Sequence, residues 1–148
     1  MASRRIEDLH PELQPIAKAF AAEAKRQGLD FIFTCTYRTG AEQNEIYAQG
    51  RTKPGKIVTR ARAGQSKHNF EIAGKPASLA FDIVPLRHGK PVWGTKGDGI
   101  DNNPADDEKD DLELWQRFGA IGEKLGLNWY GRPGAPFREM PHFELKRG

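Results

Sequence analysis

Ser78-Leu-Ala-Phe-Asp-Ile-Val84 is the stretch on which the fold of this chain turns. Its aromatic and β-branched residues predict a strand, with Pro85 expected to end it. Asp82 stands mid-strand between apolar neighbours. A carboxylate is costly to bury there unless it is paired or bound to a metal. Asp82 is therefore either part of a site or one half of a buried ion pair with one of the chain's many arginines.

Working outward, Phe31-Ile-Phe-Thr-Cys-Thr-Tyr37 reads as a second strand. Thr39-Gly-Ala-Glu42 fits a capping box that opens a short helix to about Gln49, with Gly50 as its stop. Upstream, Leu9, Leu13, Ile16, Ala17, Phe20 and Ala24 form one apolar helical stripe, with Pro11 suited to its first turn and Gly28 to its end. Downstream, Pro91-Val-Trp93 is a weaker strand that can form a hairpin with the first through His88-Gly89. Leu114, Phe118, Ile121 and Leu125 mark a further helix, stopped by Gly126. Short strands at 127–130 and 142–145 flank a Gly/Pro-rich loop. The order αβαββαββ predicts an α+β domain with a small, mostly antiparallel sheet. Residues 51–77 read as one long loop, of the kind that is usually functional or mobile. Residues 98–111 hold seven acidic side chains and read as a solvated loop; a Ca²⁺ site there would lack EF-hand spacing.

At 148 residues and 16.6 kDa, residues 1–148 suit one domain, with no second domain expected. The single Cys35 excludes an internal disulfide and a Cys-rich zinc module. The net charge of +3 and pI near 9.1 permit an anionic partner such as nucleic acid, peptidoglycan or an acidic membrane surface. No secretory signal is visible, and the apolar stretches fall short of the ~18–20 residues that span a bilayer. A soluble protein, resident where it is translated, is expected.

Four histidines can be weighed one by one. His10, beside Pro11, and His88, in a turn, read as surface residues. His68 in Ser66-Lys-His-Asn69 and His142 in Glu139-Met-Pro-His-Phe-Glu144 flank predicted strands. With Asp82 they would make a three-ligand site with an open fourth position, the form that catalytic zinc takes. The plainer alternative is two satisfied polar residues at strand ends and a buried salt bridge. Pro141 rules out a helical His-Glu-x-x-His arrangement, but an extended segment can still set Glu139 beside a metal as a base. Cys35, in an apolar strand, reads as a buried structural thiol rather than a nucleophile. Trp93, Trp115 and Trp129 read as core or cleft-wall residues.

Five segments now occur in one order: Tyr37-Arg-Thr-Gly-Ala-Glu-Gln43, Ile46-Tyr-Ala-Gln-Gly-Arg51, Ser66-Lys-His68, Ala80-Phe-Asp82 and Glu139-Met-Pro-His142. Together, over about residues 9–145, they resemble the zinc peptidases of the VanY and D-Ala-D-Ala dipeptidase type. The closer resemblance is to the phage endolysins that act as L-alanyl-D-glutamate peptidases. It implies His68, Asp82 and His142 as Zn²⁺ ligands and Glu139 as catalytic base. It implies Arg38 as the cation facing the oxyanion, with Gln43 supporting Arg38 or the substrate and Ser66 holding the substrate backbone. One departure from the family pattern Ser-x-His-x-x-Gly-x-Ala-x-Asp matters most. His68 and Asp82 are fourteen positions apart rather than seven, so an insertion within Asn69–Ala77 is expected at the cleft mouth, altering substrate fit or acting as a flap. Ser78 stands where that pattern has Gly, and Glu71 is the rival ligand to Asp82.

The resemblance thus implies a peptidase that cuts the L-Ala–D-Glu bond of peptidoglycan stem peptides to lyse a bacterial host. It implies a monomer that waits in the host cytoplasm until a holin gives it access to periplasmic peptidoglycan, with no nucleic-acid partner and no stable membrane insertion. The alternatives are a D,D-carboxypeptidase or dipeptidase removing terminal D-Ala, and a non-catalytic zinc-containing module of the same hedgehog-like fold. A small nucleic-acid binder using Lys53, Lys56, Arg60, Arg62 and Lys67 is a further alternative, though that loop lacks interleaved aromatics.

Overall fold

Alternation along one central strand organises the molecule. A computed structural model of the chain describes residues 2–55, 59, 61–92, 104–131 and 139–146, the stretch 104–110 by its backbone alone. Its elements are α1 (Gln14–Arg26), β1 (Asp30–Cys35), α2 (Gly40–Ala48), β2 (Glu71–Ile72), β3 (Lys75–Pro76), β4 (Ala80–Arg87), β5 (Lys90–Pro91), α3 (Pro104–Lys124), β6 (Leu127–Trp129) and β7 (His142–Leu145). The main sheet has the order β1-β4-β7-β6, with β5 beside β4, and every pairing is antiparallel. This is the α+β architecture that the element order predicts.

Side chains alternate across a strand, so β4 presents two different faces. Phe81 and Ile83 point into the core, where Ala17, Phe20 and Ala24 of α1 and Trp115, Phe118 and Ile121 of α3 cover the sheet with Phe143, Leu127 and Trp129. Phe20 alone meets Phe31, Phe81 and Phe143 edge-on at 5.1–5.4 Å. Each fully buried ring contributes about 1.5–3 kcal/mol through burial, before any geometric gain. Asp82 points to the other face. The helix α3 lies so close to the sheet that Gly119 and Gly122 have no room for a Cβ, which would collide with the rings of Trp129 and Phe143.

Several boundaries differ from expectation. α1 begins at Gln14, with Pro15 in its first turn, not at Leu9 beside Pro11. Leu9 and Leu13 are still wholly buried, but Leu9 bridges to Ser78, and the His10 N–H donates to the Ser78 carbonyl. β4 runs through Pro85 to Arg87, because a proline removes only its own donor and the Pro85 carbonyl still accepts from Val92. The hairpin through His88-Gly89 forms, both residues adopting the positive φ that a tight primed turn needs. α3 starts inside the acidic run, ten residues before Leu114. Acidic residues favour a helix N-terminus, and Asp111, buried, pairs with Arg87 of β4. The rest of the 98–111 run, with any cation site there, and Trp93 lie outside the described side chains.

The stretch 51–77 is not one unstructured loop. Its described residues include a 3-10 turn, Lys67–Asn69, and the small β2–β3 hairpin, turned at Ala73 and Gly74. That hairpin occupies the insertion anticipated between His68 and Asp82. His10 also departs from its surface reading: it is buried, its Nδ1 accepts the Glu12 N–H at 3.0 Å, and its ring lies 6.0 Å from that of Phe70.

Candidate functional site

Strand register builds the site. Cys35 of β1, Asp82 of β4 and His142 of β7 are direct cross-strand partners, forming one row across the sheet. Cys35 joins that row through a register shift between Phe33 and Cys35. Without it, Cys35 would share the core-facing side of Phe33; such bulges re-aim side chains. The 3-10 turn then lowers His68 onto the row. Ser66 caps this turn by accepting the His68 N–H at 3.2 Å, and the Arg38 N–H donates to the His68 carbonyl at 2.9 Å.

Three donor atoms converge there. His68 Nε2 lies 3.2 Å and His142 Nδ1 3.0 Å from Asp82 Oδ1. Both rings are buried and sit 5.2 Å apart, nearly perpendicular. Each imidazole is pinned at its far nitrogen. His68 Nδ1 lies 2.8 Å from the Thr36 carbonyl, and His142 Nε2 lies 2.8 Å from Glu144 Oε1. A carbonyl and a carboxylate can only accept, so both far nitrogens carry the proton. The near nitrogens of the neutral rings therefore aim lone pairs at a carboxylate. Three electron-pair donors facing one another require a cation between them.

Protons or a metal ion can fill that role. Burial opposes charge on His68, but the Asp82 carboxylate outweighs it and raises the pKa to about 10. Burial likewise opposes charge on His142, and hydrogen bonds to Asp82 and Glu144 outweigh it, giving about 9. Burial pushes the Asp82 carboxyl up, yet the two histidines more than reverse this and hold it well below the usual range. The donor set also fits zinc. Ligand atoms on a tetrahedron with ~2.0–2.1 Å bonds stand roughly 3.3 Å apart, close to the two spacings seen here. Imidazoles oriented by a carbonyl and a carboxylate are the usual support of such a site. Cys35, His68 and Asp82 also bring ligand atoms within 4.8 Å of one another. The thiol, however, lies 3.5 Å from Nδ1, the His68 nitrogen committed to Thr36.

The other predicted residues surround this centre. Arg38, Ser66 and Glu139 line, with the three donors, a cavity of about 120 Å³. Glu139 is half-exposed, with Oε2 3.9 Å from His142 Nδ1, and its N–H donates to the Tyr130 carbonyl. The Arg38 guanidinium donates to Gln43 Oε1 at 2.9 Å and to Cys35 Sγ at 3.4 Å. Gln43, fully buried, passes the restraint on by donating to the Ala61 carbonyl at 2.7 Å. Glu71 is not part of the donor cluster; it accepts from the Tyr37 hydroxyl. Two further residues, Glu144 and Cys35, contribute to the site beyond the predicted set. Glu144 was legible, since it lies two residues after His142 on a strand and so on the same face. Cys35 is buried, as a structural thiol should be, yet it also touches both His68 and Arg38, and nothing local signals the bulge that turns it there.

Comparison with known proteins bears on the family and the fold. Residues 6–85 match the family described as VanY: D-alanyl-D-alanine carboxypeptidase. The chain is 36% identical over 139 residues to the peptidoglycan L-alanyl-D-glutamate endopeptidase CwlK of Bacillus subtilis (strain 168), covering 93% of this chain and 74% of that protein. In fold it is similar to the L-Ala D-Glu endopeptidase ChiX of Serratia marcescens, with TM-score 0.56 and 16% identity, over 99% of this chain and 89% of the other. It is also similar to VanYB in complex with D-alanine-D-alanine, with TM-score 0.57 and 16% identity, over 93% and 71%.

Proposed function

The chain belongs to the VanY D-alanyl-D-alanine carboxypeptidase family, and from this we propose that it is a zinc peptidase that hydrolyses the L-Ala–D-Glu bond of peptidoglycan stem peptides. The observation that carries the reading is the convergence of His68 Nε2, Asp82 Oδ1 and His142 Nδ1, each imidazole turned by its far nitrogen so that its near nitrogen faces the carboxylate. His68, Asp82 and His142 would hold the ion. When bound, zinc supplies a Lewis acid and a water acidified to a pKa of about 7. The choice of bond follows the activity named for the Bacillus subtilis relative.

Within the cavity, Glu139 would accept a proton from the attacking water and return it to the leaving amine. Arg38, held by Gln43, presents its guanidinium to the carbonyl oxygen as that oxygen gains charge. Because that cation is fixed before substrate arrives, little reorganisation is needed during the reaction. Ser66, which lines the cavity and caps the turn that carries His68, would meet the substrate backbone.

The test digests purified peptidoglycan with the protein and added Zn²⁺, then identifies the new amino terminus. A D-Glu terminus is expected. Release of free D-Ala alone overturns this reading and favours the D,D-carboxypeptidase alternative, which the matched family's own description supports. No product at all favours a non-catalytic zinc module. As to setting, the resemblance of the motifs to phage lysins supports a monomeric endolysin, held in the host cytoplasm until a holin opens the way to the wall. Co-expression with and without a holin tests this: lysis should need both proteins.

A further inference from the structure

The catalytic cavity is too small for the substrate it serves. Its volume of about 120 Å³ lies below the ~300–1,000 Å³ typical of small-molecule sites, so it accommodates little beyond the scissile amide. A second depression of about 520 Å³, lined by residues of the 64–71 segment and Leu79, shares Ser66 with it. Phe70, 37% exposed, offers an aromatic ring there. Lys67 and Glu71 bring one charge of each sign.

This groove is preformed. The Asn69 amide donates to the Arg38 carbonyl at 2.8 Å and accepts the Gly64 N–H at 3.1 Å. The Leu79 N–H donates to the Lys67 carbonyl and the Ala77 N–H to the Phe70 carbonyl. Tyr37, next to Arg38, ties down Glu71 of β2. The groove wall is thus hydrogen-bonded to the segment that carries Arg38.

We infer that this groove is a subsite for the N-acetylhexosamine that bears the stem peptide, with its apolar sugar face on the Phe70 ring. The inference rests on the peptidase reading. In an L-Ala–D-Glu substrate, one residue, about 3.5 Å of extended chain, and a lactyl group separate sugar from scissile bond, which suits an adjoining groove. The remainder of the stem peptide carries carboxylates and would call for a net cationic groove. One Lys balanced by one Glu does not provide that, whereas an aromatic platform with polar neighbours suits a neutral sugar.

The experiment compares kcat and KM on an N-acetylmuramyl pentapeptide and on the same peptide without sugar, for wild type, Phe70→Ala and Phe70→Trp. In parallel, N-acetylmuramyl-L-alanine is titrated into the protein and backbone amide shifts are followed by NMR. Wild type should show a lower KM on the sugar-bearing substrate. Phe70→Ala should raise that KM roughly five- to tenfold, leave kcat unchanged and spare the sugar-free peptide, while Phe70→Trp retains the preference. Shifts should centre on residues 64–71. Equal losses on both substrates mean that the groove holds peptide and overturn the inference, as do shifts confined elsewhere. If wild type cuts neither substrate at L-Ala–D-Glu, the peptidase reading fails, and the titration still decides whether the groove takes the sugar.

Discussion

Removing the Glu144 carboxylate should weaken zinc binding without touching any proposed ligand. Glu144 Oε1 accepts from His142 Nε2 at 2.8 Å, and its other oxygen accepts from the Tyr130 hydroxyl at 3.1 Å. The first bond keeps the His142 proton on Nε2 and so leaves Nδ1 as the lone-pair donor. A charge-assisted hydrogen bond of this kind contributes about 1.5–3 kcal/mol. Loss of such support typically costs 10- to 100-fold in metal affinity or activity, in line with that energy. Glu144→Ala should therefore raise the zinc Kd by roughly 10- to 100-fold, and Glu144→Gln, which keeps an acceptor oxygen but not the charge, by about tenfold or less. Competition against a chromophoric chelator at fixed pH measures this, with circular dichroism to verify folding. Tyr130→Phe serves as a control that keeps the carboxylate. If the alanine variant stays within about twofold of wild type while folded, the orientation argument fails, and with it the case for His142 Nδ1 as a ligand atom.

Other outcomes follow from the same structure. Glu139→Gln should keep zinc but lower kcat by roughly 10²–10⁴; an empty variant on metal analysis would make Glu139 a ligand instead of a base. Gly122→Ala should destabilise the fold by about 1–3 kcal/mol, read from urea unfolding, because the new methyl group meets the Phe143 ring where helix and sheet leave no slack. Stripped of metal, the protein should lose stability as pH rises. The two histidine pKa values are raised from 6.5 to about 10 and about 9, so their contribution is complete below 6.5 and disappears as pH climbs through those values. Urea midpoints of the chelated protein that rise between pH 6.5 and 10 would contradict this sign.

Features written in a few adjacent residues were legible in the sequence. The Thr39–Glu42 capping box forms as its spacing predicts, each partner bonding the other's backbone. The His88-Gly89 turn is local in the same way. Asp82 could be singled out because a carboxylate amid Phe81, Ile83 and Val84 breaks the apolar pattern. Less legible were features set by distant partners. The start of α3 was hidden because an acidic run has no apolar periodicity, and Asp111 is secured by Arg87, 24 positions away. The β2–β3 hairpin is only two residues deep on each side, too short for any pattern to announce. Cys35 escaped because alternation from Phe33 places it in the core, and one bulge inverts that phase.

The row Cys35–Asp82–His142 also bears on when the protein becomes competent. Asp82 and His142 are 60 positions apart and meet only when β7 docks against β4. No local segment can assemble the donor cluster early, because closing so long a loop must precede any reward from the contact. A nascent chain emerging from the ribosome thus presents isolated histidines and an aspartate, none able to retain an ion alone. On the zinc reading, ion capture would come only after tertiary assembly, and partially folded chains would be inert towards whatever cation and substrate surround them.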